Sequence, residues 1–292
     1  MTGDTAEPAA ARLGLAWTYD GGRPGLLERV LPLVDFIEVM PDAISRMRDG
    51  RAIVDPARIT ELEAIPPPVR IIIHGIGLSI GSHDGWSERY IGLLDELIPR
   101  LEPAWHSEHL AYTSVDGEHL GTMLTLPRTR EALDLVIGRV DAIQARYDLP
   151  FLLENVVRIL PDHPADRSEA DFINEIGRRT GCGFLLDAYN LECDAHNNAF
   201  DLDAYLAELD LARVLEIHLA GGVENRGYQL DVHSRRVADS TVALAERVLA
   251  MSPNVRTVTY ELLEEAIPAV GEDAIVNELA RLRERLIAAP VS

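Results

Sequence analysis

Histidine, aspartate and glutamate recur at one kind of place in this sequence, the C-terminal end of a short apolar run. IIIHG carries His74, WHSEHL carries His109, FLLEN carries Glu154 and GFLLDAYN carries Asp187. VLEIHLAG carries His218, TVTYELL carries Glu261, and FIEVM, with Glu38, is of the same kind. Seven of eight strand-like runs are marked in this way, which no scattering of surface charge explains. A further pair, Asp231 and His233, follows in QLDVHS, and an extended segment would point both the same way. Carboxylates bridge cations, and neutral imidazole binds through one nitrogen and suits Fe, Zn, Cu or Ni. These donors exceed the needs of one ion, so two or three ions are implied. Taken singly, each residue also reads as a hydrogen-bonded histidine or a salt-bridged acid. Jointly, carboxylates that would be costly to bury alone read as a polynuclear metal centre.

Such donors lie far apart in the chain, so the fold must gather them. Strand-like runs at 13–17, 36–40, 69–75, 104–110, 151–155, 183–190, 214–221 and 257–263 alternate with amphipathic stretches. The helical stretches are 24–34, 56–64, 86–101, 129–147, 168–180, 200–210, 236–251 and 272–287. In the third of them Tyr90, Leu93, Leu94, Leu97 and Leu101 fall on one helical face. Eight βα units without a linker predict an α/β fold, a single (β/α)8 TIM-type barrel over 13–292, whose strand ends converge on one mouth. Residues 1–12 read as a disordered lead-in with no signal-peptide pattern. A doubly wound sheet is the alternative, but no phosphate loop follows the first strand, and GIGLSIG at 75–81 follows the third.

Composition narrows the partners. Lys and Arg total 27 against 48 acids, a formal net charge of −21 over 292 residues, which disfavours a nucleic-acid partner held by phosphate neutralisation. No stretch reaches the apolar length of a membrane span, and a cytoplasmic protein is expected. Cys182 and Cys193 have no zinc or redox spacing; Cys182 reads as a small buried residue and Cys193 as a loop residue near the site. His83, His119 and His163 fall in polar loops, and His106 faces away from the site on its strand. Asn190 could ligate or orient a ligand, and His196 could be a ligand, a supporting donor or a substrate contact. Glu38 and Asp42 are expected to support ligands from behind.

HGIGLSIGS, SEHLAYTS, LLEN, GFLLDAYN, AHN, EIHLAGG, DVHS and YELL occur in an order and spacing that resemble the DUF692 family, the multinuclear non-haem iron-dependent oxidases that include the methanobactin-biosynthesis enzyme. The resemblance runs from about residue 13 to about 265. It implies a TIM-type barrel with two or three iron ions (Fe2+/Fe3+) and dioxygen as co-substrate. It further implies modification of a side chain, most often cysteine, in a ribosomally synthesised precursor peptide, commonly with a small leader-binding partner protein. Carried over by motif, the metal ligands would be His74, His109, Glu154, Asp187, Asn190, His218, Asp231, His233 and Glu261, with Glu154, Asp187 and His218 at the chemical step. The chain departs from the family at Val156–Val157–Arg158, where Pro-Ser-Ser is common, and at Ala188–Tyr189–Asn190. It departs again at Asn197–Asn198–Ala199, where a histidine is lost.

Two other readings use the same residues. A divalent-metal hydrolase or isomerase on this barrel, endonuclease IV-like or xylose-isomerase-like, would take zinc or manganese and consume no oxygen. A non-catalytic metal- or peptide-binding module would bind without turnover.

Overall fold

The computed structural model describes residues 12–48, 51–160 and 165–288. Eight parallel strands form a closed barrel: β1 (Gly14–Thr18), β2 (Phe36–Val39), β3 (Arg70–Gly75), β4 (His106–His109), β5 (Phe151–Glu154), β6 (Gly183–Asp187), β7 (Val214–Leu219) and β8 (Thr257–Tyr260). Each pairs with the next in sequence, and β8 closes on β1. The expected TIM-type barrel is therefore present. The lead-in expected over 1–12 lies outside the described residues except for Arg12, and so does His163.

Strands covered on both faces need apolar side chains on both, and the two faces here pack into different cores. Outward-facing residues join the helices in the large core, which includes Leu15, Ile37, Ile73, Leu153, Leu186 and Val258. Inward-facing residues form a small separate cluster of Ala16, Ile72, Trp105, Leu152 and Leu185. Side chains alternate with a period of two, so the next inward positions are Thr18, His74, Ser107, Glu154 and Asp187. An apolar plug thus fills the lower barrel and hands over to polar residues one step higher.

The helices start where the sequence supplies caps. The longer helices among the described residues are α1 (Pro24–Val30), α2 (Pro56–Glu63), α3 (Glu88–Leu101), α4 (Arg130–Arg146), α5 (Glu169–Thr180), α6 (Ala188–Asn198), α7 (Leu202–Glu208), α8 (Asp239–Met251) and α9 (Glu272–Leu282). Asp55, Ser87, Thr129 and Ser168 accept backbone N–H groups at the starts of α2 to α5. The predicted face of α3 is the buried one, from Tyr90 through Leu101.

Several boundaries differ from expectation. The run 183–190 was expected to be extended throughout, yet β6 ends at Asp187 and α6 begins at Ala188. Asp187 caps that helix, and an aspartate at a strand end is a strong helix start. Cys193, expected in a loop, sits inside α6 and is fully buried. Burial, Asp231 and Asp187 push its thiol above the ordinary range, so it offers no ready thiolate. Paired antiparallel strands, Ser45–Arg48 with Arg51–Val54, Ala111–Val115 with Glu118–Thr125, and Val223–Asn225 with Tyr228–Leu230, follow the C-terminal ends of β2, β4 and β7 and lie toward the mouth. No helix among the described residues is long and apolar enough to cross a membrane.

Candidate metal centre

Strand register brings the predicted donors to one level. His74 is opposite Ser107, His109 opposite Glu154, and Asp187 opposite His218. Three groups could each hold an ion, with ligand atoms within 4.8 Å of one another: Glu38, His74 and His218; His74, His109 and Glu154; Glu154, Asp187, His218 and Glu261. The groups share His74, Glu154 and His218, so they form one continuous nest. Glu38, expected only to support ligands, belongs to one of them.

The hydrogen bonds set which imidazole nitrogens are free. His109 Nδ1 donates to the carbonyl of Gly75 at 2.9 Å, which leaves the lone pair on Nε2. Ser107 Oγ donates to the carbonyl of Ile73, so at 2.9 Å it accepts from His74 Nδ1, again freeing Nε2. Both free nitrogens face one carboxylate oxygen: Glu154 Oε2 is 3.3 Å from His74 Nε2 and 3.1 Å from His109 Nε2. Three acceptors then meet with nothing to donate between them. His74 Nε2 and both Glu154 oxygens are buried without a hydrogen-bond partner, as are Asp187 Oδ2 and Asn190 Oδ1. Such groups are satisfied by a cation or by a proton. Without a cation, burial, Glu261 and Asp187 raise the Glu154 pKa well above the carboxylate range. Burial, with help from His109 and His218, keeps His74 neutral by lowering its pKa well below the usual value.

His218 stands between two acids. Its Nε2 is 2.9 Å from Glu38 Oε2, and its Nδ1 is 2.9 Å from Glu261 Oε2. Burial opposes its charge, but Glu38 and Glu261 outweigh that and raise its pKa well above the usual value. Glu38 itself is pushed up to about 7 by burial. Its second oxygen accepts from Thr18 Oγ1 at 2.8 Å. A proton on Nε2 shared with Glu38 leaves Nδ1 to the group of Glu154, Asp187 and Glu261, the usual arrangement behind a metal-bound histidine.

Asp187 is held from both sides. Its Oδ1 accepts the backbone N–H of Asn190 at 2.8 Å, while its own N–H and carbonyl bond the side-chain amide of Asn155. Burial and Asp231 raise its pKa to about 7. Asn190 lies one helical turn away, its amide nitrogen on the carbonyl of Asn155 at 3.0 Å. Asp231 and His233 do meet, at 2.6 Å, but not through an extended segment: His233 has a φ of 39°, in the left-handed region. His233 Nδ1 reaches Glu261 Oε1 at 3.1 Å, and Nε2 is 3.9 Å from Asp187 Oδ2. All nine residues singled out as ligands therefore line this nest or its mouth.

The other polar residues sort by the same geometry. His106 is buried on the outer face of β4, bonded to Glu108 at 2.9 Å, while His83 and His119 are exposed. Asp42 also lies outside the nest, against Gly77 and near Glu108, whose charge adds to burial in raising its pKa to about 6. His196 is exposed, and its Nε2 donates to the carbonyl of Gly227, so it pins a hairpin turn. The sequence reading missed Glu216, fully buried below His218, which accepts from Trp105 Nε1 at 2.7 Å and Thr259 Oγ1 at 2.5 Å. Its signal was available: it precedes His218 by two and shares its face.

The donor set, nitrogen and carboxylate oxygen around orphaned buried acceptors, fits transition-metal ions. Comparison with known proteins agrees in fold and in family. Among solved structures, D-psicose 3-epimerase from Clostridium cellulolyticum H10 aligns over 96% of this chain and 100% of its own, with TM-score 0.59 and 12% identity. 3-Keto-D-glucoside 4-epimerase from E. coli aligns over 94% of this chain and 100% of its own, with TM-score 0.56 and 15% identity. At such identities the likeness concerns the barrel alone. A UPF0276 protein of Anaeromyxobacter sp. (strain Fw109-5) is 36% identical over 255 residues, 87% of this chain and 86% of the relative. One of Caulobacter vibrioides (strain NA1000 / CB15N) is 36% identical over 257 residues, 88% and 89% of the two chains. Residues 13–286 match the family described as RiPP precursor modification enzyme MbnB/TglH/ChrH, RiPP denoting a ribosomally synthesised, post-translationally modified peptide. With this match covering most of the barrel, the chain belongs to that family of precursor-peptide-modifying enzymes.

Proposed function

We propose that this protein is a multinuclear iron-dependent oxidase that uses dioxygen to modify a side chain, most often cysteine, of a ribosomally made precursor peptide. The observation that carries the reading is the meeting of His74 Nε2, His109 Nε2 and Glu154 Oε2 without a donor between them. His74, His109, Glu154, Asp187, Asn190, His218, Asp231, His233 and Glu261 would hold two or three ions. Bound iron would supply one-electron chemistry with dioxygen and Lewis acidity toward a thiolate.

The chain's own contribution is positional. Carbonyl and hydroxyl partners lock His109 and His74 in the tautomers that bind through Nε2. Glu38 takes the Nε2 proton of His218 as a hydrogen bond and aims Nδ1 inward. Glu154, shared by two of the donor groups, would serve ions in both. Asn155 and the α6 N-terminus orient Asp187. The inner donors are nearly shut off from solvent, and the most exposed of the nine are Asp231 and His233. Substrate therefore reaches the centre past that pair. A small leader-binding partner and a cytoplasmic location belong to the same proposal, as does a single barrel domain from residue 13 on.

Anaerobic reconstitution with Fe(II), followed by oxygen and the short cysteine-containing peptide encoded beside the gene, should change the peptide mass and consume oxygen. An unchanged peptide, despite full iron loading and any adjacent partner protein, overturns the oxidase reading. Zinc-dependent cleavage of abasic DNA, or manganese-dependent sugar turnover, would replace it with the hydrolase or isomerase reading.

A further inference from the structure

The mouth of the barrel opens into a groove of about 740 Å³ whose floor includes Asn190 and Asp231. One wall is Val156–Leu160, the segment after β5, and the other is Tyr228–Val232. Nine large apolar side chains are well exposed among the described residues, and five of them line this groove: Ile159, Leu160, Tyr228, Leu230 and Val232. Exposed apolar side chains gathered in one concave place mark a binding surface far more often than chance scatter does. Charge is nearly absent from the lining, although the chain as a whole carries −21. Its one cation, Arg158, is 3.2 Å from Asp194, and its one acid, Asp231, is 2.6 Å from His233.

The hairpin wall is rigidly set. Asn197 on α6 accepts from the backbone N–H of Gln229 and donates to its carbonyl, as a neighbouring strand would. His196 holds the turn at Gly227. Below, a Cβ on Gly222 would lie 1.9 Å from the carbonyl oxygen of Leu230, so only glycine lets the hairpin base pack this closely. The hairpin wall is thus a fixed feature, and the groove is continuous with the metal centre through Asn190 and Asp231. Besides Arg158, Asp231, Thr122 and Tyr228, its polar residues are the amides Asn190, Asn197, Asn198 and Gln229. Amide side chains beside apolar walls suit the backbone groups of an extended peptide. A polyol would leave its hydroxyls against Ile159, Leu160, Leu230 and Val232.

Resting on the reading of the site as a peptide-modifying centre, we infer that the groove selects precursor peptides with uncharged, aliphatic or aromatic residues directly flanking the residue that is modified. Ile159 and Leu160 grip one flank and Tyr228 and Leu230 the other, while the reacting side chain descends toward Asn190 and Asp231.

The test uses the full-length protein and three fluorescein-labelled peptides with a central cysteine flanked on both sides by leucine, serine or glutamate. Fluorescence anisotropy should show the leucine peptide binding about tenfold tighter than the others, the worth of one buried aliphatic side chain. In the I159S/L230S variant the advantage should fall to about twofold, whereas M251S, on an exposed apolar residue outside the groove, should keep it. Metal content and Tm, measured on every variant, establish that the barrel is intact. Equal affinities, a preference for serine or glutamate, no saturable binding of any peptide, or a leucine preference that survives I159S/L230S would each overturn the inference. Binding needs no turnover, so the two readings fail separately. A leucine preference in a chain that never modifies peptide leaves the groove standing, and modification without that preference removes only the groove.

Discussion

Glu154 is the one carboxylate shared by two donor groups, and both of its oxygens are buried without a partner. Replacing it by glutamine keeps the shape and removes the charge. We expect Glu154→Gln to lose at least one bound iron per chain by elemental analysis, with the Tm of the metal-free protein unchanged or raised. The stability expectation follows from burial: in the absence of a cation, the carboxylate is an uncompensated group in a low dielectric. A variant that retains full iron would remove Glu154 from the ligand set. Glu38 makes a different prediction, since it touches the centre through His218 Nε2. Glu38→Gln should weaken iron binding by roughly 10- to 100-fold while the chain still folds, the usual cost of losing a carboxylate behind a metal-bound histidine. Direct ligation by Glu38 would show instead as a lost ion. At this scale the sequence was legible where a charged residue ended an apolar run. It was opaque at Ser107 and Asn155, whose roles rest on partners reached only through strand register.

At the scale of elements, the join between β6 and α6 carries the most chemistry for its size. One residue, Asp187, ends the strand, caps the helix with Oδ1 and leaves Oδ2 toward the centre. Asn155, at the end of β5, supports that join by bonding both backbone groups of Asp187. Asn155→Ala strands a buried N–H and a buried carbonyl, so chemical denaturation should show a loss of about 2 kcal/mol. Iron affinity should fall with it, and a variant with wild-type stability would show that water replaces the amide without cost. Periodicity revealed the barrel strands and the long helices because each buries a repeating face, as α3 does from Tyr90 to Leu101. The hairpins at 111–125 and 223–230 escaped notice, since most of their residues face solvent and leave no alternation to read. They matter for function nonetheless, because one of them builds a wall of the groove. The extended path expected through Asp231 and His233 fails for a related reason: a positive φ at a non-glycine residue leaves no mark in residue type.

Across the whole molecule, the barrel concentrates acids around a centre that needs cations, and its stability should register that need through pH. In the metal-free protein Glu38 and Asp187 are pushed up to about 7, and Glu154 higher still, chiefly by burial. A carboxyl group with a raised folded pKa stabilises the fold fully below its unfolded value near 4, and that contribution is lost as pH rises through about 7. His218 and His233 act in the same direction. Burial opposes their charge, but Glu38 and Glu261 for the one, and Glu261 and Asp231 for the other, hold both pKa values well above 6.5. Their contribution is present below 6.5 and disappears above the folded values. Glu261 works oppositely: burial alone would raise its pKa, but His233 and His218 outweigh that and lower it well below 4.5, so its share is lost only in acid. The metal-free chain should therefore lose Tm steadily from pH 6 to pH 8. Bound cations displace those protons and bind only the native nest, which adds about 2.7 kcal/mol when free metal is at about 100 times its Kd. The gap in Tm between iron-loaded and chelator-treated protein should consequently widen over the same interval, as read by calorimetry under anaerobic conditions. A metal-free Tm that is flat or rising between pH 6 and pH 8, or a gap that narrows, would mean that these acids find their counter-charge elsewhere, and the case for a cation-filled barrel would go with it.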